Sequence, residues 1–275
     1  MHRWSLDRWS WTHRDDAAPG SAVRAPRGVS AVSPAAAASA SVFADLYRDD
    51  PKLAAAELDV NARAIARDLA DLGITVDCWP VLDLPQADAD PIIGDRALGQ
   101  NSEAIATLGN VIIDGLHAEG VTPVIKHIPG HGRATVDSHK ALPVVETPLK
   151  VLRKTDFEPF RRLNVAPWAM TAHVVYTAVD ADNCATFSKT VIQQVIRDDI
   201  GFDGLLISDD LSMHALSGDF GKRAKRALAA GCDVVLHCNG DMAEMAPIAE
   251  ATHILTEQAQ ARFARGEAVR RAAPE

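Results

Sequence analysis

The chain of 275 residues predicts an α/β protein built on a parallel sheet. Two observations predict this class: helical stretches alternate with short apolar, β-branched runs, and each of these runs ends in polar residues. Parallel strands covered by helices on both faces have this apolar character, and functional groups gather at their carboxyl ends. A chain of this length can bury one large core, so we expect a single domain, the size at which α/β barrels commonly occur.

The first well-marked helix is DPKLAAAELDVNARAIARDLADLG, with Asp50 as N-cap, Pro51 at the first helical position and Gly73 at its end. The strand that follows at once, ITVDCWPVLDL, ends at Asp83. Further helices are predicted in SEAIATLGNVIIDGLHAEG, near TDFEPFRRLN, in KTVIQQVIRDDIG and in KRAKRALAAG. The predicted strands are 74–83, 121–128, 165–176, 204–210 and 232–238. A closed α/β barrel needs eight strands, and the sequence predicts five.

Composition excludes several classes of protein. The net charge is -9, and the chain has no block of Lys or Arg, which argues against nucleic acid and against an anionic membrane surface as partners. No run reaches the ~18 apolar residues of a membrane span, and the first residues lack the features of a secretory signal, so we expect a cytoplasmic protein. The four cysteines, which are scattered, are predicted to be free thiols: Cys78, Cys184, Cys232 and Cys238.

The segment KHIPGHGRATVDSH, which begins at Lys126, concentrates imidazoles, a carboxylate and a lysine. Lys126 and His127 end a predicted strand, so their side chains point to opposite sides unless the strand bends there. His127 and His131 have the i, i+4 spacing of a helical metal pair. Pro129 removes the helix that makes this spacing useful, and no third ligand is placed by the sequence, so we expect no metal here.

Asp137 and His139 lie two residues apart in the same segment. In an extended chain their side chains fall on one side, so the carboxylate can hold one imidazole nitrogen, fix the tautomer and raise the basicity of the other nitrogen. The alternative is an Asx-type turn with a solvent-facing histidine. The acid/base interpretation is favoured because this loop follows a strand of the same sheet that carries the next motif.

That motif is GFDGLLISDDLSM, an apolar strand ending in Asp209 and Asp210. Successive residues face opposite ways, so one carboxylate can point into a central cleft while the other caps the next segment, LSMHAL. In IIGDRALGQN, the guanidinium of Arg96 can hold substrate hydroxyls or a carboxylate. His173, inside the apolar strand MTAHVVY, is predicted to be a core histidine or one that supports the site.

Taken together, these segments resemble the bacterial β-N-acetylhexosaminidases of glycoside hydrolase family 3, the cytoplasmic kind that serves cell-wall recycling. The resemblance is carried, in chain order, by VDCWPVLDL, GDRALGQN, KHIPGHG followed by DSH, MTAHVVY, GLLISDDLSM and AGCDVVLHCN, which cover roughly residues 45 to 240. Such an ordered set is highly specific, and KHIPGHG with DSH is close to diagnostic.

The resemblance implies a retaining glycosidase on a (β/α)8 TIM barrel, in which Asp209 attacks the anomeric carbon. His139, oriented by Asp137, would protonate the leaving oxygen and later activate water. Positions that match the family's sugar-binding residues are Arg96, Lys126, His127 and Met213. The implied partner is a small sugar of the N-acetylglucosaminyl-anhydromuropeptide type, and neither a metal nor a cofactor is implied.

The front of the chain departs from the family pattern. In the family, three strand–helix units precede the helix that begins here near Asp49, and the third carries an acidic, glycine-rich motif of the form DQEGGRV, which is absent. Residues 1–44 contain three of the five tryptophans and then small residues and prolines without periodicity. We expect an N-terminally truncated barrel with about five of eight units, an irregular tail over 1–44 that is not native family sequence, and a catalytic domain over 45–275.

Two other functions stay open beside an exo-acting β-N-acetylglucosaminidase for muropeptide-type sugars. One is a truncated, inactive homologue with at most weak sugar binding, which the missing units favour. The other is a metal-dependent hydrolase on the same fold that uses His127, His131 and Asp209.

Overall fold

The structure, a computed structural model, describes residues 38–272. Five parallel strands form one sheet, which confirms the predicted α/β class. In their order across the sheet, the strands are β1 (Val76–Asp77), β2 (Thr122–Ile128), β4 (Trp168–Thr171), β7 (Leu205–Asp210) and β8 (Val234–Leu236). A smaller sheet is formed by β3 (Val144–Val145), β5 (Val175–Tyr176) and β6 (Asp180–Cys184).

Helices connect the strands of the large sheet. They are α1 (Ala40–Asp49), α2 (Pro51–Asp71), α3 (Ser102–Ala118), α4 (Leu149–Leu152), α5 (Glu158–Arg162), α6 (Phe220–Ala230), α7 (Met242–Ala251) and α8 (Glu257–Arg271). A π-helix spans Val191–Asp199, and 3-10 turns span Gly94–Arg96 and Ala185–Phe187.

The amino-terminal signals of α2 act as the sequence predicts. Asp50 Oδ1 accepts hydrogen bonds from the amides of Lys52 and Leu53, and Pro51 occupies the first helical position. Regular structure starts earlier than expected, because α1 begins at Ala40, inside the range assigned to an irregular tail, and buries Phe43 in the core. The tryptophan-rich start of that tail lies outside the described residues.

Alternation along the strands separates the two faces of the large sheet. On one face, Ile125 of β2, Ala169 of β4 and Leu206 of β7 pack into the main core under the helices. On the other, Val124 and Trp168 belong to a second apolar cluster that lines the concave side of the curled sheet. Both faces are apolar, as expected of a parallel sheet.

The predicted single strand over 165–176 is wrong. β4 ends at Thr171, and the chain then turns so that β5 leaves the large sheet and pairs with β3 in parallel and with β6 in antiparallel orientation. His173 therefore lies between two strands rather than within one. The turn is stabilised because Ala172 N donates to Ile128 O at 2.9 Å and Val174 O accepts from Ala185 N at 2.8 Å.

Among residues 38–272, β1 and β8 each have one neighbour in the sheet, so the five strands form an incomplete barrel. Helix α8 packs beside the amino ends of the strands. Arg262 of α8 bonds to Asp203, two residues before β7, and to Asp233, directly before β8, and the ring of Phe263 lies 5.7 Å from that of Trp168. None of the helices in this part of the chain is long and apolar enough to span a bilayer.

Candidate active site

The candidate site lies where β2, β4 and β7 end side by side. These three strands are neighbours in the sheet and run in the same direction, so their carboxyl ends meet at one edge. This edge brings together the residues KHI at the end of β2, Thr171 at the end of β4, and Asp209 and Asp210 at the end of β7. The positions predicted from KHIPGHG and ISDD are therefore adjacent in space as well as individually at strand ends.

The two carboxylates at the end of β7 are held differently. Asp210 Oδ1 accepts from the amides of Ser212, at 2.9 Å, and Cys238, at 3.2 Å, while its Oδ2 accepts from the Ser212 hydroxyl at 2.5 Å. Asp210 thus caps the turn after β7. Among the described residues the Asp209 carboxylate accepts one bond, from the Asp210 amide at 2.8 Å, and it is half-buried at the strand end.

The surroundings of Asp209 favour its ionised form. Burial would raise its pKa, but the Asp210 amide, which donates to the carboxylate, and the nearby positive charge of Lys126 help to hold the pKa of Asp209 below its usual value. A carboxylate that stays ionised and has few hydrogen bonds keeps its lone pairs available to an electrophile.

His127 is oriented by a carboxylate that the sequence did not mark as functional. Asp83 is fully buried in the segment VLDL, and its Oδ2 lies 2.6 Å from His127 Nδ1. Its Oδ1 accepts hydrogen bonds from the backbone amides of His127, at 3.2 Å, and His131, at 2.6 Å. Burial would raise the pKa of Asp83, yet His127 and the His131 amide lower it overall. With Nδ1 held by Asp83, Nε2 is the ring nitrogen of His127 left for a ligand.

Lys126 precedes His127 at an irregularity of β2, where the register with β4 shifts between Lys126 and Ile128. The bend lets Lys126 remain on the concave side while His127 is held by Asp83. The half-buried Lys126 ammonium favours ionisation of Asp209, and it partly offsets the burial that raises the pKa of Asp77. This positive charge beside Asp209 is suited to a polar or anionic ligand group.

Asp137 and His139 form a carboxylate–imidazole pair within an Asx-type turn, so the local geometry has the features of both interpretations of their spacing. Asp137 Oδ1 lies 2.8 Å from His139 Nδ1 and also accepts from the His139 amide at 2.8 Å. Burial would raise the pKa of Asp137, but the amide and ring of His139, together with Lys140, lower it. The His139 side chain is 62% exposed and the Asp137 side chain 13%. The ring is thus oriented by the carboxylate while it extends into solvent.

The loop that carries this pair is anchored through Ser138, which is 3% exposed. Its hydroxyl lies 3.1 Å from His131 Nε2, and its carbonyl accepts from Ala215 N at 3.3 Å. Burial, with a further contribution from His127, lowers the pKa of His131 to about 4. Gly132, next to His131, packs against the backbone of Leu84. A side chain does not fit there, because a Cβ at this position would lie 1.9 Å from Leu84 O.

Arg96 and Met213 occupy the periphery. Arg96 lies in the 3-10 turn Gly94–Arg96 and donates from Nη2 to Ile92 O at 2.6 Å, while neighbouring Ile93 packs on Val81 after β1. Met213 is buried in the turn after β7, where its amide donates to Asp210 O at 3.3 Å. Neither side chain bonds to Lys126 or His127 in the part of the chain described.

The histidines of the metal-dependent alternative are engaged elsewhere, His127 Nδ1 with Asp83 and His131 Nε2 with Ser138. Residues 38–272 contain no group of three or more His, Cys, Asp or Glu side chains arranged to hold a metal ion. The four cysteines are free thiols, and burial raises the pKa of Cys78 to about 11.

Comparison with known proteins places this arrangement in a family. The model of the glycosyl hydrolase family 3 N-terminal domain matches residues 33–271. A β-hexosaminidase of Bordetella pertussis is 39% identical over 204 residues, which are 72% of this chain and 57% of the relative. A β-hexosaminidase of Methylobacillus flagellatus is 39% identical over 201 residues, with the same coverage of both chains. The chain thus spans little more than half the length of these relatives.

Solved structures agree. NagZ from Neisseria gonorrhoeae, in complex with N-trifluoroacetyl-D-glucosamine, superposes with a TM-score of 0.74 at 32% identity, covering 85% of this chain and 70% of that one. A glycoside hydrolase family 3 β-N-acetylglucosaminidase from Paenibacillus superposes with a TM-score of 0.70 at 33% identity, covering 80% of this chain and 44% of that one. The chain belongs to the glycosyl hydrolase family 3 N-terminal domain family.

Proposed function

We propose that the protein is a retaining exo-β-N-acetylglucosaminidase that removes terminal N-acetylglucosamine from muropeptide-type sugars in the cytoplasmic recycling of peptidoglycan. The observation that carries the proposal is the division between two carboxylates at the end of β7: Asp210 caps the turn, and Asp209 is ionised and little hydrogen-bonded. The N-acetylglucosamine derivative bound by the gonococcal structure supports the class of sugar.

In this proposal Asp209 attacks the anomeric carbon and forms a glycosyl ester as the bond to the leaving oxygen breaks. His139 donates the proton to that oxygen and then takes a proton from the water that hydrolyses the ester. Asp137 holds Nδ1 of His139, so the exchanged proton sits on Nε2. The carboxylate also stabilises the imidazolium when His139 is protonated.

Sugar recognition is assigned to the groups around Asp209. Lys126 and His127 bind hydroxyls: the ammonium lies in the same electrostatic environment as Asp209, and Asp83 turns His127 so that Nε2 faces a ligand. Met213 lines the pocket beside the β7 turn. Arg96 would have to exchange its bond with Ile92 O for one to the sugar.

The test is hydrolysis of p-nitrophenyl N-acetyl-β-glucosaminide, with the anomer formed first followed by NMR. We expect release of the β-anomer by the wild-type chain, loss of turnover in Asp209→Asn, and wild-type turnover in the matched surface variant Asp71→Asn. First appearance of the α-anomer would contradict a retaining mechanism, and turnover by Asp209→Asn would contradict the assignment of the nucleophile.

A second candidate is a sugar-binding homologue without turnover, which the single-neighbour edge strands β1 and β8 favour. Titration with N-acetylglucosamine separates the two. Saturable binding by a wild-type chain that releases no p-nitrophenol would support the binding protein over the enzyme.

A further inference from the structure

Beneath the Asp209–Asp210 pair lies a set of polar side chains that the proposed chemistry does not use. Thr171, His173 and Thr186 are all 0% exposed, and they come from the end of β4, the turn after it and the 3-10 turn after β6. Buried polar groups of this kind cost stability unless their hydrogen bonds are satisfied. Here the bonds form a continuous chain.

The chain runs from the backbone of one aspartate to that of the other. The Asp209 amide donates to Thr171 Oγ1 at 3.3 Å, and Thr171 Oγ1 lies 2.8 Å from Thr186 Oγ1. Thr186 Oγ1 lies 2.7 Å from His173 Nδ1, and His173 Nε2 lies 3.0 Å from Asp210 O. Three side chains therefore bridge the amide of Asp209 and the carbonyl of Asp210.

The direction of the bonds in this chain follows from its two ends together with the protonation state of His173. A carbonyl only accepts, so His173 Nε2 carries a proton and donates to Asp210 O. Burial lowers the pKa of His173, so the ring is neutral and Nδ1 accepts from the Thr186 hydroxyl. Thr186 then accepts from Thr171, and Thr171 accepts from the Asp209 amide. The Thr186 hydroxyl also lies 3.2 Å from Ala172 O, and its single proton is directed at the nearer acceptor, His173 Nδ1, at 2.7 Å.

We propose that His173 is a positioning residue for Asp209, acting through Thr186 and Thr171 to fix the backbone at the end of β7. This inference rests on the proposed function for its catalytic consequence, since a nucleophile must be aimed at the anomeric carbon. Displacements of about 1 Å in such groups can cost on the order of 10²-fold in rate. The hydrogen-bond chain itself can be measured whether or not the protein turns over sugar.

The first measurement is the tautomer of His173, by ¹⁵N NMR of the imidazole at neutral pH. The proposal requires a protonated Nε2 and an unprotonated Nδ1. The opposite tautomer, or an imidazolium, would overturn it, because either one breaks the order of donors and acceptors along the chain.

The second measurement is hydrogen exchange of the Asp209 amide in Thr186→Val and Thr186→Ser. Valine keeps the shape of threonine but removes the hydroxyl, so we expect Asp209 exchange to accelerate by about tenfold or more, whereas serine keeps the protection. Thr177→Val is the matched control, because within residues 38–272 the Thr177 hydroxyl bonds only to Val145 O, at 3.4 Å. Unchanged exchange in Thr186→Val would overturn the proposal.

The catalytic consequence is measured as steady-state kcat and KM, with the concentration of active sites taken from the initial burst of p-nitrophenol. We expect His173→Gln, which can still donate to Asp210 O, to lose less kcat than His173→Asn, whose amide is too short to reach it, with KM within about threefold for both. A wild-type chain without turnover would contradict the proposed function and leave the exchange test to decide this inference. Turnover that neither variant at His173 reduces would overturn the inference alone.

Discussion

The two halves of the candidate site are built in opposite ways. At the end of β7, the backbone of Asp209 and Asp210 is tied to β4 and to the turn after β6 by the buried side chains of Thr171, His173 and Thr186. In the loop after β2, His139 is 62% exposed and is oriented by one neighbour in its own loop, Asp137. One functional group is fixed by long-range contacts, and the other is carried by a local pair.

This difference corresponds to the two tasks of a retaining hydrolase. The nucleophile meets one carbon from one direction, so a fixed backbone serves it. The acid/base group meets a leaving oxygen first and a water molecule later, so a ring on an exposed loop can serve both steps. The buried Ser138 is the point at which the loop is attached to the rest of the site.

The largest expected effect is at the fixed carboxylate. Asp209→Ala should reduce kcat/KM by about 10⁴-fold or more, since no glycosyl ester can form. Asp210→Asn should retain substantial turnover, because the amide oxygen can still accept from Ser212 or Cys238. Steady-state kinetics of both variants decide between the two residues. Loss of turnover in Asp210→Asn, with turnover retained in Asp209→Ala, would make Asp210 the nucleophile.

The loss of rate caused by a change at His139 should depend on the leaving group of the substrate. His139→Ala is expected to slow hydrolysis of substrates with a sugar leaving group by about 10²–10⁴-fold, because such an alkoxide needs a proton to depart. Hydrolysis of p-nitrophenyl glycosides should fall much less. Rates on a disaccharide and on the aryl glycoside give the comparison, and equal losses on both would remove His139 from the acid role.

The free energy of unfolding should depend on pH through His131, the hydrogen-bond partner of Ser138. The pKa of His131 falls from its usual 6.5 to about 4 in the folded chain, so between these pH values the unfolded chain binds a proton that the folded one does not. The free energy of unfolding should therefore decrease as pH falls through this window, by roughly 3 kcal/mol from this ring. Urea titrations of wild type and His131→Asn measure it.

The His131→Asn variant should show a shallower pH dependence than the wild type over the same window. His253→Asn, at an exposed histidine, is the matched control. Equal slopes for wild type and His131→Asn would show that the ring is not the source of the acid sensitivity.

The smallest effect on turnover is expected from a change at Ser138, which attaches the loop. Ser138→Ala removes the contact with His131 Nε2, a hydrogen bond contributing about 1 kcal/mol, so we expect kcat to fall about fivefold through misplacement of His139. Ser41→Ala, in α1, is the matched control. The expected loss should be larger on the disaccharide than on the aryl glycoside, and a loss confined to KM would contradict a role in placing the acid.

The features predicted from sequence are those with local causes. The cap and proline of α2, the presence of the five strands of the large sheet and the Asp137–His139 pair depend on residues within a few positions of one another. The missed features depend on contacts between distant residues. Asp83 meets His127 across 44 positions and His173 meets Asp210 across 37, so neither partner could be read from spacing.

Helix α8 was missed for another reason. Its buried positions include Arg262 and Gly266, which do not form an apolar stripe. Arg262 is buried because its guanidinium bonds to Asp203 and Asp233, and Gly266 because a Cβ there would lie 2.6 Å from Trp168 Nε1. Hydrophobic periodicity detects neither an ion-paired arginine nor a close backbone approach.

The central claim, that Asp209 forms a covalent bond to the sugar, is tested most directly by trapping the intermediate. The chain would be incubated with a fluorinated N-acetylglucosaminyl fluoride, a reagent that forms the glycosyl ester faster than the ester hydrolyses, and then digested for peptide mass spectrometry. We predict one glycosyl group on Asp209 in the wild type and in Asp210→Asn, and none in Asp209→Ala. A label on Asp210 or on a loop residue, or an Asp209→Ala chain labelled like the wild type, would contradict the account.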